Sequence, residues 1–204
     1  MPGDFNNPLS PFSSATVDEA QGRTGALPAA IKPIDPARRL CAPAFCVRTT
    51  PGNNLILHRA IYAAPAGSVL VVDVGGPAGY EYGYWGDIMT VAACQRGLAG
   101  LVIDGGARDA AEIEESGFPV FCRMLSIRGT LKAEDGELGG RITMGQVSIQ
   151  TGDMVIGDRD GVCAVPSAQV EQVARQARAR VEKEAAVIGA LRQGKTSLEL
   201  FGFA

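Results

Sequence analysis

Two apolar runs constrain what this chain can fold into. "SVLVVDVGG" (68–76) and "LAGLVIDGG" (98–106) each carry too few polar residues to present a wet face. A strand that reads as a continuous apolar run belongs to a sheet covered on both sides, which is the usual state of parallel strands. Between the two lies "WGDIMTVAACQRGLAG", a helical stretch with Gly86 and Asp87 at its start and Gly97 at its end. Before them, "APAFCVRTT" reads as a strand and "PGNNLILHRAIYAAPAG" as a turn followed by a helix near 53–63. "PVFCR" makes a further short strand.

The order β-α-β-α-β gives an α/β fold with a central, mostly parallel sheet. Residues 128–166 are rich in glycine and alternate as "GRITMGQVSIQ", "DMVIGD" and "GVCAVP", which predicts antiparallel strands and tight turns forming an added β layer. A long C-terminal helix is expected over 167–193, with Ser167 as its cap and Gly194 beyond its end. Residues 1–13 hold three prolines and read as an extended arm. "SSATVDEAQGRTG" reads as a short helix capped by Ser14 or Thr16. A length of 204 residues suits one domain over 1–204.

Composition narrows the class of function. The chain is 46% apolar and 20% charged with a formal charge of −3, which fits a soluble globular protein. The acidic balance and the lack of a Lys/Arg cluster argue against nucleic acid as a partner. No run is long enough for a membrane span, and the N-terminus does not read as a signal peptide, so a cytoplasmic protein is expected. Five cysteines with no C-x-x-C read as reduced, mostly packed thiols.

In open α/β sheets, sites form beyond the carboxyl ends of the strands. "VVDVGG" and "LVIDGGARD" both end in glycine-rich loops, and the two loops are expected to face one cleft. Arg108 and Asp109 stand at the second of these ends. An arginine presents a planar donor fork suited to carboxylates, and an aspartate suits a hard divalent metal. The alternative is structural: Asp109 caps the next helix and Arg108 lies on the surface. Asp87 opens the preceding helix, where free N–H groups make an anion site. The amides of Ile88 and Met89, after Gly86, could take a carboxylate; equally, Asp87 could be a first-turn acid favoured by the helix dipole. Twenty residues, one helix and one strand, separate Asp87 from Arg108. Such a unit returns the chain to the neighbouring strand end, so all three residues can line one cleft.

The terminal helix carries an acid on its apolar side. At about 100° per residue, Val170, Val173, Ala174, Ala177, Val181, Ile188 and Leu191 share about 100° of arc with Glu184. Glu184 either sits at the edge of that stripe and pairs with Arg180 or Arg192, or is carried to a neighbouring subunit. Tyr80, Tyr82, Tyr84 and Trp85 could wall the pocket or serve packing. His58 is the only histidine, so a His-based metal site or triad is not expected, and a structural role is. There is no G-x-G-x-x-G and no P-loop. No lysine lies in either cleft segment, which argues against a Schiff-base mechanism.

The stretch "GDIMTVAACQRGLAGLVIDGGARD" resembles the RraA-like superfamily, in particular its class II pyruvate aldolases. "SSATVDEAQGRTG", "IKPI", "PGNNLILHRAI", "GDRDGVCAVP" and "LRQGKTSLELFG" resemble it as well, so the likeness runs through most of the chain. The resemblance implies a swivelling β/β/α-type sandwich. It implies retro-aldol cleavage of a 4-hydroxy-2-oxo acid such as 4-hydroxy-4-methyl-2-oxoglutarate or 4-carboxy-4-hydroxy-2-oxoadipate to pyruvate, with oxaloacetate decarboxylation as a side activity. It further implies Mg²⁺ or Mn²⁺ on Asp109, a metal-bound water held by Asp87, and substrate binding and enolate stabilisation by Arg108. Gly86, Ile88 and Met89 would bind the substrate through their backbone. Glu184 would come from the adjacent subunit of a homotrimer or homohexamer. The alternative within the superfamily is a non-catalytic regulator of ribonuclease E that acts by binding protein. That branch lacks an aspartate after the arginine, and Asp109 therefore favours the enzyme branch.

Overall fold

A computed structural model describes residues 7–203. Its elements in chain order are α1 (Ser14–Ala20), β1 (Lys32–Pro33), β2 (Leu40–Arg48), α2 (Leu55–Ala63), β3 (Val69–Asp73), β4 (Gly83–Trp85), α3 (Asp87–Gln95), β5 (Gly100–Ala107), α4 (Ala110–Ser116), β6 (Val120–Leu125), β7 (Glu137–Leu138), β8 (Arg141–Met144), β9 (Val147–Gln150), β10 (Met154–Asp158), β11 (Gly161–Val165), α5 (Val170–Arg192) and α6 (Ser197–Phe201).

The two apolar runs are β3 and β5, parallel neighbours at the centre of a sheet ordered β1-β6-β5-β3-β2-β10-β11. β2 and β6 join them in parallel, while β10 and β11 extend the β2 edge antiparallel. The fold is therefore the expected mixed α/β arrangement with a mostly parallel centre and a long C-terminal helix. The sheet curls until β1 approaches the β10–β11 turn, where the Lys32 ammonium donates to the Asp160 carbonyl. Of the glycine-rich strands after residue 128, only the β8–β9 hairpin stands apart as an added layer; β10 and β11 belong to the main sheet.

Alternation along the strands sorts the core. Leu70, Val72, Leu101 and Ile103 point to the face covered by α2, α3 and α4. Val69, Val71, Val102 and Phe121 point to the other face, under Ile142, Met144 and Ile149 of the hairpin. A third cluster joins α1 and α5 to β10 and β11 through Val17, Ile156, Val165, Val173 and Ala177.

Several local expectations shift. Part of the expected arm, residues 1–6, lies outside the described residues; residues 7–12 form turns that bury Leu9 and Phe12 rather than an extended arm. α1 is capped by Ser13 rather than by Ser14 or Thr16, its hydroxyl accepting from the Thr16 amide. Ser167 begins a short 3₁₀ turn, and the helix proper starts at Val170. Gly105 and Gly106 lie inside β5, not in a loop.

The reason those two positions are glycines is steric. A Cβ on Gly105 would lie 2.9 Å from a Val74 methyl, and one on Gly106 would lie 2.6 Å from the Tyr82 carbonyl. Their smallness lets the segment carrying β4 lie against β5. Gly106→Ala is expected to lower unfolding free energy by roughly 1–3 kcal/mol, the usual scale of overpacking. Urea denaturation measures this, and an unchanged midpoint would mean that the Tyr82 backbone moves away freely.

Candidate active site

The candidate site forms where β4 and β5 end and α3 and α4 begin. β4 runs parallel to β5 beyond the end of β3, and the Arg108 amide donates to the Trp85 carbonyl at 2.9 Å. That bond ties the start of the Arg108–Asp109 step to the residue two before Asp87. Trp85 Nε1 donates to Thr90 Oγ1 at 2.8 Å, and the Thr90 hydroxyl donates to the Gly86 carbonyl at 3.1 Å, which fixes the first turn of α3. Tyr84 is anchored from α2's approach: its hydroxyl accepts from the Gly52 amide at 2.8 Å and its carbonyl from Asn54 Nδ2 at 2.7 Å.

Asp109 stands at the N-cap position of α4 but does not cap that helix with its side chain. Its Oδ2 instead accepts the Asp87 amide at 3.0 Å, at the head of α3. The first-turn amides of Ile88 and Met89 have no carbonyl within α3 to bond to. Gly86 leaves the space for this approach, since a Cβ there would lie 2.3 Å from Asp109 Oδ2. Arg108 Nε lies 3.7 Å from the same oxygen, with both side chains partly open to solvent. The turn that aims Asp109 has φ +58°, a left-handed conformation in which aspartate is among the better tolerated residues.

The Asp87 amide is thus brought against Asp109, as the spacing predicts, but of the three residues expected to line one cleft only Arg108 and Asp109 form its wall. A cleft of about 500 Å³ opens beside Arg108 and Asp109, with Ala110, Leu125, Ser126 and Ile127 completing its wall. Ile88 and Ile127 stand nearby at 80% and 94% exposure. Of the aromatics, Tyr84 and Trp85 are buried packing residues, and Tyr82 lies under Arg128 with the guanidinium 4.2 Å from the ring centroid. None of them lines the cleft.

Glu184 does not line it within one chain either. Its carboxylate pairs with Arg180 at 2.9 Å, and Arg180 also reaches Glu19 of α1 at 3.4 Å. No group of three or more His, Cys, Asp or Glu suited to a metal is found among the described residues.

Lys132 has no signal in the sequence because it lies on the segment after β6, outside both strand-end segments. Its ammonium donates to Asn54 Oδ1, and burial, then the charge of Arg108, lowers its pKa from the ordinary lysine value. The pKa of His58, half-buried on α2, is likewise lowered by burial and then by the Lys132 charge. Only the folding of 126–132 back across β4 could reveal this proximity; the Ser126 amide bonds the Ala107 carbonyl and the Gly83 amide bonds the Arg128 carbonyl, both at 2.8 Å.

The family model described as RraA-like, Aldolase/RraA, matches residues 13–164. The chain belongs to the RraA-like family. A Halalkalibacterium halodurans protein named "Putative 4-hydroxy-4-methyl-2-oxoglutarate aldolase" is 32% identical over 175 residues, covering 86% of this chain and 82% of its own. An uncharacterized protein of Pseudomonas syringae pv. tomato, solved as a crystal structure, superposes with a TM-score of 0.77 at 30% identity, over 93% of this chain and 92% of its own. Streptomyces coelicolor RraAS2, described as an unusual member of the RNase ES inhibitor RraA protein family, gives a TM-score of 0.77 at 24% identity, over 92% and 96%. That last likeness is one of fold. No helix among the described residues of this RraA-like chain is long and apolar enough to cross a membrane.

The extended backbone of Gly86, φ −157°, accommodates alanine, so Gly86→Ala should perturb the Asp109 carboxylate far more than the fold. The expected result is a thermal midpoint within a few degrees of wild type, with the Asp87 amide proton losing its hydrogen-bonded shift in NMR. An unchanged shift would place the carboxylate elsewhere.

Proposed function

We propose that this single-domain RraA-like protein is a carbon–carbon lyase that releases pyruvate from 4-hydroxy-2-oxo di- or tricarboxylates such as 4-hydroxy-4-methyl-2-oxoglutarate. The observation that carries this reading is one carboxylate and one guanidinium side by side on one cleft, with the carboxylate bonded to the first amide of α3. The name of the Halalkalibacterium relative supports it.

The donor set suits Mg²⁺ or Mn²⁺. Such ions accept one or two carboxylates and keep several waters, whereas a zinc site needs three or four protein ligands. Asp109 would hold the ion directly through the oxygen not engaged by Asp87, Asp87 through a water, and Glu184 of an adjacent subunit in a homotrimer or homohexamer would add a further oxygen. When bound, the metal supplies Lewis-acid polarisation of the keto oxygen.

The protein's own groups do the rest. Arg108 and the amides of Ile88 and Met89 would bind the α-keto acid by its carboxylate, with the guanidinium also facing the oxygen that gains charge. Asp87 would orient the water that takes the C4 hydroxyl proton. The C3–C4 bond then breaks, its electron pair passes to the pyruvate unit as an enolate, and the C4 fragment leaves as a keto acid. Protonation of C3 completes pyruvate. Oxaloacetate loses CO₂ through the same enolate, so decarboxylation is expected as well.

Pyruvate release from oxaloacetate and from a panel of 4-hydroxy-2-oxo acids is expected with Mg²⁺ or Mn²⁺ and should vanish with a chelator. Asp109→Asn keeps a residue that tolerates the left-handed turn, so it should remain folded and lose at least about 100-fold in kcat/KM, the scale of a lost electrostatic stabiliser. Activity that survives either change would overturn the metal mechanism. The proximity of Lys132 makes a Schiff base worth a direct check: borohydride added with oxaloacetate is expected to leave the protein mass unchanged, and a trapped adduct on Lys132 would replace this mechanism with an imine one. A protein inactive on every keto acid would point to the second reading, a regulator that acts by binding protein, which the RraAS2 likeness supports at the level of fold.

A further inference from the structure

β5 and β6 fall out of step just before the candidate site. Ile103 pairs with Cys122 but Gly106 pairs with Met124, so Asp104 and Gly105 together oppose the single residue Arg123. An extra residue of this kind bends and twists the strand and re-aims the residues beyond it. Beyond this one lie Arg108 and Asp109.

The irregularity is held by side chains as well as by backbone. Arg123 Nε donates to Asp104 Oδ1 at 2.7 Å, and Nη2 lies 2.6 Å from the same oxygen. Both groups are largely buried, with side-chain exposures of 17% and 8%. The guanidinium also stacks on the Tyr80 ring, 3.8 Å from its centroid. Tyr80 belongs to the segment that becomes β4 and then delivers Asp87. One guanidinium therefore bonds the bulged strand from its neighbour and covers the segment that brings in the opposite side of the cleft.

A buried ion pair is weak support for stability, because apolar residues of similar size often serve as well. An apolar pair, however, cannot set a register by directed hydrogen bonds. We propose that Arg123, clamped between Asp104 and Tyr80, is a positioning residue that locks the β5 bulge and so aims Arg108 and Asp109 toward Asp87. This rests on the metal and keto-acid reading of the cleft.

The test uses Arg123→Met and Asp104→Asn in the full-length protein, with thermal unfolding as the check on folding. The Asp87 amide proton reports the Asp109 contact without metal or substrate; Mn²⁺ titration and oxaloacetate kinetics report the site. Expected are folded variants whose Asp87 amide exchanges faster, with Mn²⁺ affinity and kcat/KM each lower by about 10–100-fold, the range for supporting residues around a metal site. Arg123→Lys, which keeps the charge but not the planar fork, should recover part of the loss. A folded Arg123→Met with wild-type amide exchange and wild-type Mn²⁺ affinity overturns the clamp. Should Arg123→Met fail to fold, the size-conserving Asp104→Asn decides the clamp by the same readouts. Wild-type protein that neither binds Mn²⁺ nor releases pyruvate would overturn the functional reading instead, and the amide exchange would still decide the clamp.

Discussion

β5 has to be buried at every one of its eight residues, and the rest of the site inherits that constraint. A fully buried strand must pair its backbone on both edges. One edge is filled by β6, with the break in step at Asp104 and Gly105. The other is filled first by β3, which ends at Asp73, and then by β4, which takes over at Gly83. The chain can make that substitution only because Gly105 and Gly106 present no side chain to Val74, Tyr84 and the Tyr82 carbonyl. Once β4 is seated there, Trp85 is bonded to Arg108 and the start of α3 has one place to go.

The site then depends on a local conflict. Asp109 adopts a left-handed backbone, which disfavours an L-residue by roughly 1 kcal/mol, less for aspartate. In return its carboxylate reaches the head of a helix other than its own and accepts the Asp87 amide. Gly86 is the complement of that conflict: any Cβ there would collide with the carboxylate. Residues that break local rules while their neighbours accommodate them are where function is expected to sit. The cap and the site are not rival accounts of Asp109, because its backbone starts α4 while its side chain serves α3.

Periodicity made the large elements legible. β3 and β5 follow from apolar runs and α3 from its start and stop residues, and the distance from Asp87 to Arg108 predicts the meeting of the Asp87 amide with Asp109. Glycine misled, because it reads as a turn, whereas Gly105 and Gly106 lie in a strand for the sake of a close neighbour. β4 was illegible: three residues inside "GYEYGYWGD" give no alternation, and their pairing is set by β5. The out-of-step pairing at Asp104 has no mark of its own in a single chain, since a bulge is a relation between two strands. Lys132 was invisible for the same reason. On α5, the stripe correctly identified the inward side, but only Val173, Ala174 and Ala177 are buried. A stripe tells which side is apolar and not how far the neighbour beneath it extends.

The outer half of that stripe bears on how the proposed site would be completed. Val181, Ile188 and Leu191 remain exposed on α5, and Ile88, Leu125 and Ile127 are exposed around the cleft. Within one chain the cleft wall carries the carboxylate of Asp109, with Asp87 beside it at the head of α3, while a hard divalent ion takes about six oxygens, the remainder from waters, substrate or another chain. Glu184 is engaged with Arg180, but exposed pairs at this spacing are worth only about 0.3–0.5 kcal/mol. Arg180 keeps Glu19 if Glu184 leaves it. The pair seen in one chain would therefore offer little opposition if, in the proposed assembly, the carboxylate moved to a neighbour's site. Burial of the apolar residues beside it, at about 25 cal/mol per Å², would outweigh that loss within a few tens of Å² of contact.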